Sequence, residues 1–148
     1  MRLTGYTDFA LRVLMYIAVH PDRRPTIAEI AAGYGISKNH LMKVVFDLGR
    51  AGYIETVRGK NGGLRLARPA ESIGVGELVR RTEGDMALAP CLGRADGCVI
   101  TPACRLKGVL VEARTAFMDV LDRYTIADLA RQPESLRALL GQPALAEA

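Results

Sequence analysis

The sequence predicts a mainly α fold made of a helix-turn-helix, a two-stranded hairpin directly behind it and a long C-terminal helix suited to dimerisation. Three observations carry this prediction. A capped helix, a glycine-containing turn and a second amphipathic helix follow one another between Thr26 and Gly52. Two short strand-like runs flank Arg58-Gly59-Lys60-Asn61-Gly62-Gly63. A 3.5-residue apolar repeat then runs from Leu106 to Tyr124.

Composition sets the frame for these elements. With 49% hydrophobic and 24% charged residues in 148, the chain reads as an ordinary globular protein with one core, not a disordered or secreted disulfide scaffold. Its net charge of +4 is unevenly spread: residues 1–68 hold 11 Lys/Arg against 5 Asp/Glu, and residues 69–148 hold 9 against 11. The basic half is therefore the candidate polyanion binder. The apolar run Phe9 to Val19 is broken by Arg12 and followed by no small-residue cleavage site, and nothing approaches the roughly 20 apolar residues of a membrane span. A cytoplasmic protein with no membrane partner is expected.

Thr7 and Asp8 are expected to open a first helix ending near His20, before Pro21. Asp8 in its first turn reads on its own as a cap or a charge favourable to the positive helix end, with Arg12 one turn on as an ion-pair partner. Thr26 and Glu29 fit a capping box for a short helix to about Ala32, followed by the turn Gly33-Tyr34-Gly35. Ser37 is expected to cap the next helix, whose Leu41, Val44, Val45 and Leu48 form one buried stripe. Ser37, Lys38, Asn39, His40 and Lys43 then lie at its N-terminal end, where a helix-turn-helix presents side chains to the DNA major groove.

Tyr53–Val57 and Leu64–Ala67 read as strands, with Asn61-Gly62 as a hairpin tip that needs positive φ. A hairpin behind a DNA-reading helix is the wing of a winged helix-turn-helix. Arg58, Lys60, Arg65 and Arg68 make it basic, suited to phosphates or a narrow minor groove; alone, such a hairpin would read as a solvated charged turn. Val75 to about Arg81 is a further short helix. Thr101 and Pro102 are expected to start the long helix, which would reach Tyr124 and span about 35 Å. Its seam, Leu106, Leu110, Ala113, Phe117, Val120 and Tyr124, suits a two-fold homodimer on a palindromic site in double-stranded DNA. Thr125 to Asp128 restarts a short helix. The expected organisation is a DNA-binding domain over 1–84, a cysteine loop over 85–104, the dimerisation and short helices over 105–130, and a loosely held tail over 131–148.

All three cysteines, Cys91, Cys98 and Cys104, sit in that loop, separated by six and five residues. Three thiols cannot all pair within one chain, and the close pairs of common zinc fingers are absent. Spacing alone leaves an iron-sulfur cluster, a zinc site and a redox thiol device as comparable readings. No paired catalytic carboxylates, C-x-x-C motif or nucleophile-base pattern supports an enzyme.

Taken together, RLTGYTDFALRVLMYIA, SKNHLMKVV, AGYIETVRGKNGGLRLARPA and CVITPACRLK resemble the nitric-oxide-sensing repressors among the Rrf-type winged-helix regulators, over about Met1 to Leu129. The resemblance implies a winged-helix dimer in which Cys91, Cys98 and Cys104, with Asp8 of the partner subunit, ligate an iron-sulfur cluster. That donor set favours 4Fe-4S, with 2Fe-2S the alternative. IscR-type members of the family carry a histidine three residues after the last cysteine, where this chain has Lys107. The implied function is a transcriptional repressor, not an enzyme, which holds promoter DNA while its cluster is intact and releases it on nitrosylation. A repressor sensing iron or cluster supply and a metal-free winged-helix regulator are the rival readings. Ser37, Lys38, Asn39, His40 and Lys43 would face the major groove, with Arg58 and Lys60 anchoring the wing.

Overall fold

A computed structural model describes residues 2–93 and 98–141. The first helix, α1 (Gly5–Ala18), is the centre of the molecule because apolar side chains leave it in several directions: Ala10, Val13, Leu14 and Ile17 are all buried. It begins two residues before the expected start. Thr4 is the N-cap, accepting the Thr7 N–H through its hydroxyl. Thr7 faces inward, fully buried, with its hydroxyl 2.5 Å from Glu83.

Helix α2 (Ile27–Tyr34) opens on the expected capping box, Thr26 accepting from the Glu29 N–H while the Glu29 carboxylate accepts from the Thr26 N–H. It runs two residues past the expected end, because the left-handed residue that stops it is Gly35 at φ 65°. Helix α3 (Lys38–Arg50) buries the expected stripe of Leu41, Val44, Val45 and Leu48 against α1 and α2. Ser37 occupies its N-cap position, yet its hydroxyl makes no capping bond.

The wing pairs β1 (Ile54–Val57) with β2 (Gly63–Leu66) antiparallel, Ile54 opposite Leu66 and Val57 opposite Gly63. At its tip Asn61 takes the expected positive φ, 64°, but the glycine that shares the turn is Gly59 at 93°, whose carbonyl accepts from the Gly62 N–H. The Leu64 N–H donates to the Pro25 carbonyl, so the turn before α2 borders the wing like a third strand. A Cβ at Gly63 would collide with the Arg24 carbonyl, which explains a glycine there.

Helix α4 (Val75–Thr82) packs Leu78 into the main core and Val75 and Val79 against Met118 of α5 (Arg105–Leu121). The long helix is shorter than expected. Thr101–Ala103 forms a 3-10 turn, and Cys104 takes an extended backbone at ψ 104°, so helical geometry begins only at Arg105. Its 17 residues span about 25 Å. After α5 the chain returns to the N-terminal half: α6 (Ile126–Leu129) carries the fully buried Ile126 against α1, and Gly74 bridges Thr125. Where a loose tail was expected, α7 (Pro133–Leu140) packs Leu140 on Gly33 of α2. The rest of the expected tail, residues 142–148, lies outside the described residues.

Candidate nucleic-acid interface and cysteine loop

The buried stripe of α3 fixes what its other face presents. Ser37, Lys38, Asn39, His40 and Lys43 are all exposed, as expected of side chains that enter a groove. Helix α1 holds this helix at two points. The Tyr6 hydroxyl donates to Asp47 at 2.8 Å, and the Phe9 ring stacks on His40 with centroids 6.3 Å apart. Burial and the bond to Asp47 push Tyr6 up to about 12, so it remains a donor at neutral pH.

The four cations of the wing divide into two kinds. Arg65 is committed to Glu55 across the strands at 2.5 Å. Arg68 reaches Glu77 at 2.6 Å while stacking over Tyr53, whose hydroxyl donates to the same Glu77. These two fasten the wing to itself and to α4. Arg58 and Lys60 are exposed at the tip, and among the described residues neither forms an ion pair, which leaves both charges uncompensated by the chain.

Sequence reasoning missed two features of this surface. Arg23 and Arg24 border a cleft of about 560 Å³ shared with Asn61, Gly62 and Arg65; the pairing of Leu64 with Pro25 brings them to the wing, and only a basic pair before Pro25 signalled it. Met42 and Phe46 are 51% and 63% exposed on the outer face of α3. Their signal was present in the helical wheel, since neither falls on the buried stripe.

At the cysteine loop, all three cysteines are free thiols. Cys98 is exposed, while Cys91 and Cys104 are partly buried. Residues 94–97, within the loop, lie outside the described residues. Among the described residues, no group of three His, Cys, Asp or Glu side chains is close enough to hold a metal ion. Asp8 lies on half-exposed α1 surface and pairs with Arg12, both contacts being 3.0 Å. Arg12 in turn lies over the Tyr34 ring of α2, 5.5 Å from its centroid. Within one chain, therefore, Asp8 is an ion-pair partner of its own helix. As chemistry, three soft thiolates with one harder carboxylate fit an iron-sulfur cluster better than a hard-cation site.

The family model described as Rrf2, iron-dependent transcriptional regulator, matches residues 3–132. The chain belongs to the Rrf2 family of transcriptional regulators. Among Rrf2 relatives it is similar to two proteins named HTH-type transcriptional regulator NsrR. That of Geobacillus kaustophilus is 50% identical, covering 95% of this chain and 97% of the relative. That of Bacillus subtilis strain 168 is 49% identical with the same coverage. In structure the chain is similar to CymR, the global cysteine regulator of B. subtilis, with a TM-score of 0.75 over 88% of this chain and 97% of CymR at 23% identity. The Rrf2 chain is thus a transcriptional regulator with a winged helix-turn-helix, and none of its described helices is long and apolar enough to cross a membrane.

Proposed function

We propose that the chain is a cytoplasmic, nitric-oxide-responsive repressor that binds promoter DNA as a homodimer, with Cys91, Cys98, Cys104 and Asp8 of the partner subunit holding a 4Fe-4S cluster. The observation that carries the DNA-binding half is the division of the basic residues: Arg65 and Arg68 form internal pairs, whereas among the described residues Arg58, Lys60, Lys38 and Lys43 form no ion pair. The sensing half is supported by the donor set, by the resemblance carried in CVITPACRLK and by the name of the two relatives. When bound, the cluster supplies an iron centre open to nitric oxide.

The chain's own residues suggest how the two halves communicate. Within one chain both carboxylate oxygens of Asp8 are engaged by Arg12, so serving a partner subunit would loosen at least part of this pair and give Asp8 two arrangements. Phe9 next to it touches His40, and Tyr6 holds Asp47, so a shift of α1 is passed to α3. Only a difference in stability between the two arrangements makes a switch of them. Arg58→Ala is expected to weaken operator binding and to lower its salt dependence by about one phosphate contact, measured by fluorescence anisotropy across a salt series. Unchanged affinity and slope would remove the wing from the interface. Asp8→Ala is expected to alter the visible spectrum of the anaerobically purified protein and its change with nitric oxide; an unaltered spectrum and response would remove Asp8 from the ligand set.

A second reading, a repressor that senses iron or cluster supply, is favoured by the family's description as iron-dependent. Operator occupancy that follows iron availability but ignores nitric oxide would establish it in place of gas sensing.

A further inference from the structure

The outer face of α3 carries more than cations. Taking the buried stripe of Leu41, Val44, Val45 and Leu48 as the inner side, Asn39, Lys43, Phe46 and Arg50 lie on the opposite side of the helix, with Met42 beside them. Phe46 is 63% exposed and Met42 51%, four residues apart and therefore neighbours one turn apart. The Arg50 guanidinium sits 5.8 Å from the centroid of the Phe46 ring. Scattered apolar residues on a surface need no explanation. A phenylalanine on the most outward side of a DNA-reading helix, with a methionine one turn away on its flank, is different, because that side is the one a groove receives.

The surroundings decide the occupant. Lys38, Lys43 and Arg50 ring the apolar pair, so an apolar protein partner would have to strip water from three cations to cover two side chains. The major groove of a duplex meets both demands. Phosphates at its walls take the cations, and the C5 methyl of thymine is the one apolar group that base edges present there.

We propose that Met42 and Phe46 read thymine methyl groups in the operator, and so determine sequence preference alongside Asn39. This inference rests on the DNA-binding reading above and names the base class it selects. Asn39 suits adenine, whose edge matches an amide with two hydrogen bonds. Asn39 and Phe46 are seven residues apart, about 10.5 Å along the helix, which corresponds to about three base-pair steps. An adenine-thymine-rich half-site follows.

The test uses the full-length, anaerobically purified protein and an operator selected from a random duplex pool. Thymines within the half-site are replaced one at a time by deoxyuridine, which keeps every hydrogen-bonding group and removes only the methyl. Wild-type protein is expected to lose about four-fold in affinity for each contacted methyl. Phe46→Ala and Met42→Ala are expected to bind the thymine operator more weakly, to show no further loss at the position each contacts, and to keep the salt dependence and non-specific affinity of the wild type. Both side chains are exposed, so folding of the variants, checked by circular dichroism, is expected to be unaffected.

A selected operator without thymines in the half-site, or a uracil penalty that is the same in the variants as in the wild type, overturns the inference. So does a change in oligomeric state without a change in that penalty, which would assign the pair to a protein partner. Arg58→Ala, run in parallel, separates the two levels. If it weakens binding while the uracil penalty is unmoved by Phe46→Ala, only this inference falls; if it has no effect, the wing leaves the interface; and if the random pool yields no specific operator at all, the DNA-binding reading falls together with this inference.

Discussion

Glu83 ties the N-terminus of α1 to the end of α4 across 79 residues of chain. Its carboxylate accepts the Thr4 N–H at 2.7 Å and the Thr4 hydroxyl at 2.9 Å, with the Thr7 hydroxyl at 2.5 Å. It thereby closes the N-terminus of α1, where unsatisfied N–H groups favour a negative charge. Burial pushes its pKa up, but the hydrogen bonds from Thr7 and Thr4 outweigh this and hold it below the ordinary glutamate value. A depressed pKa contributes stability that is full above the ordinary value of 4.5 and is lost as pH falls from there through the lowered one. Glu83→Gln is therefore expected to flatten the acid limb of the stability profile, read from urea midpoints between neutral and acid pH. An acid limb identical to that of the wild type would mean that Glu83 is not so held. This residue also shows where sequence reading stops. The expected helix start at Thr7 and Asp8 used only local signals, and nothing local reveals a carboxylate 79 residues away that makes Thr4 the cap and turns Thr7 inward.

At the scale of elements, what was legible had local causes. The capping box at Thr26 and the buried stripe of α3 are set by spacing within a few residues, and the structure reproduces both. Thr26→Ala removes half of that box and is expected to cost about 1 kcal/mol in chemical denaturation; no measurable loss would mean that Glu29 alone closes α2. The wing was legible as a hairpin, but its anchoring was not. Gly63, at φ 149° against the Arg24 carbonyl, belongs to a contact between the wing and the turn before α2. Gly63→Ala is expected to destabilise the fold by more than about 1 kcal/mol, and a neutral outcome would contradict this contact. The early start assigned to α5 failed for a similar reason. Thr101 and Pro102 are good starting residues, and they do begin a turn, but the extended Cys104 separates that turn from the helix. Residues 131–148 read as a loosely held tail, whereas α7 forms within them and packs on α2.

At the scale of the whole molecule, α5 has two faces. Met118 and Leu121 lie against α4, which accounts for its place in the single chain. The predicted seam lies about a quarter-turn away and is covered only in part: Phe117 packs against the same cluster and Leu110 is half-buried, whereas Leu106, Val120 and Tyr124 are 63%, 47% and 47% exposed, with Val109 beside them at 58%. A helix that buries one side and leaves a second apolar side partly uncovered is half of an interface, in accord with the proposed homodimer. Val109→Glu costs nothing in the isolated chain, where the side chain is already exposed, and is expected to shift the protein towards monomer in sedimentation. An unchanged dimer would place the interface elsewhere. The cysteines are legible only as a set. Their sequence shows three thiols in one loop, and among the described residues no three His, Cys, Asp or Glu side chains lie close enough to hold a metal ion.

The account turns on a dimer whose DNA affinity is set at that shared site. Native mass spectrometry of anaerobically purified protein, with ultraviolet-visible spectra and operator binding followed as nitric oxide is added, tests it most directly. The account predicts a dimer whose mass includes iron and sulfide in 4Fe-4S proportion, with a spectrum that changes before operator binding falls. A colourless dimer that binds its operator specifically after reconstitution with iron and sulfide has failed, and that ignores nitric oxide, would contradict it.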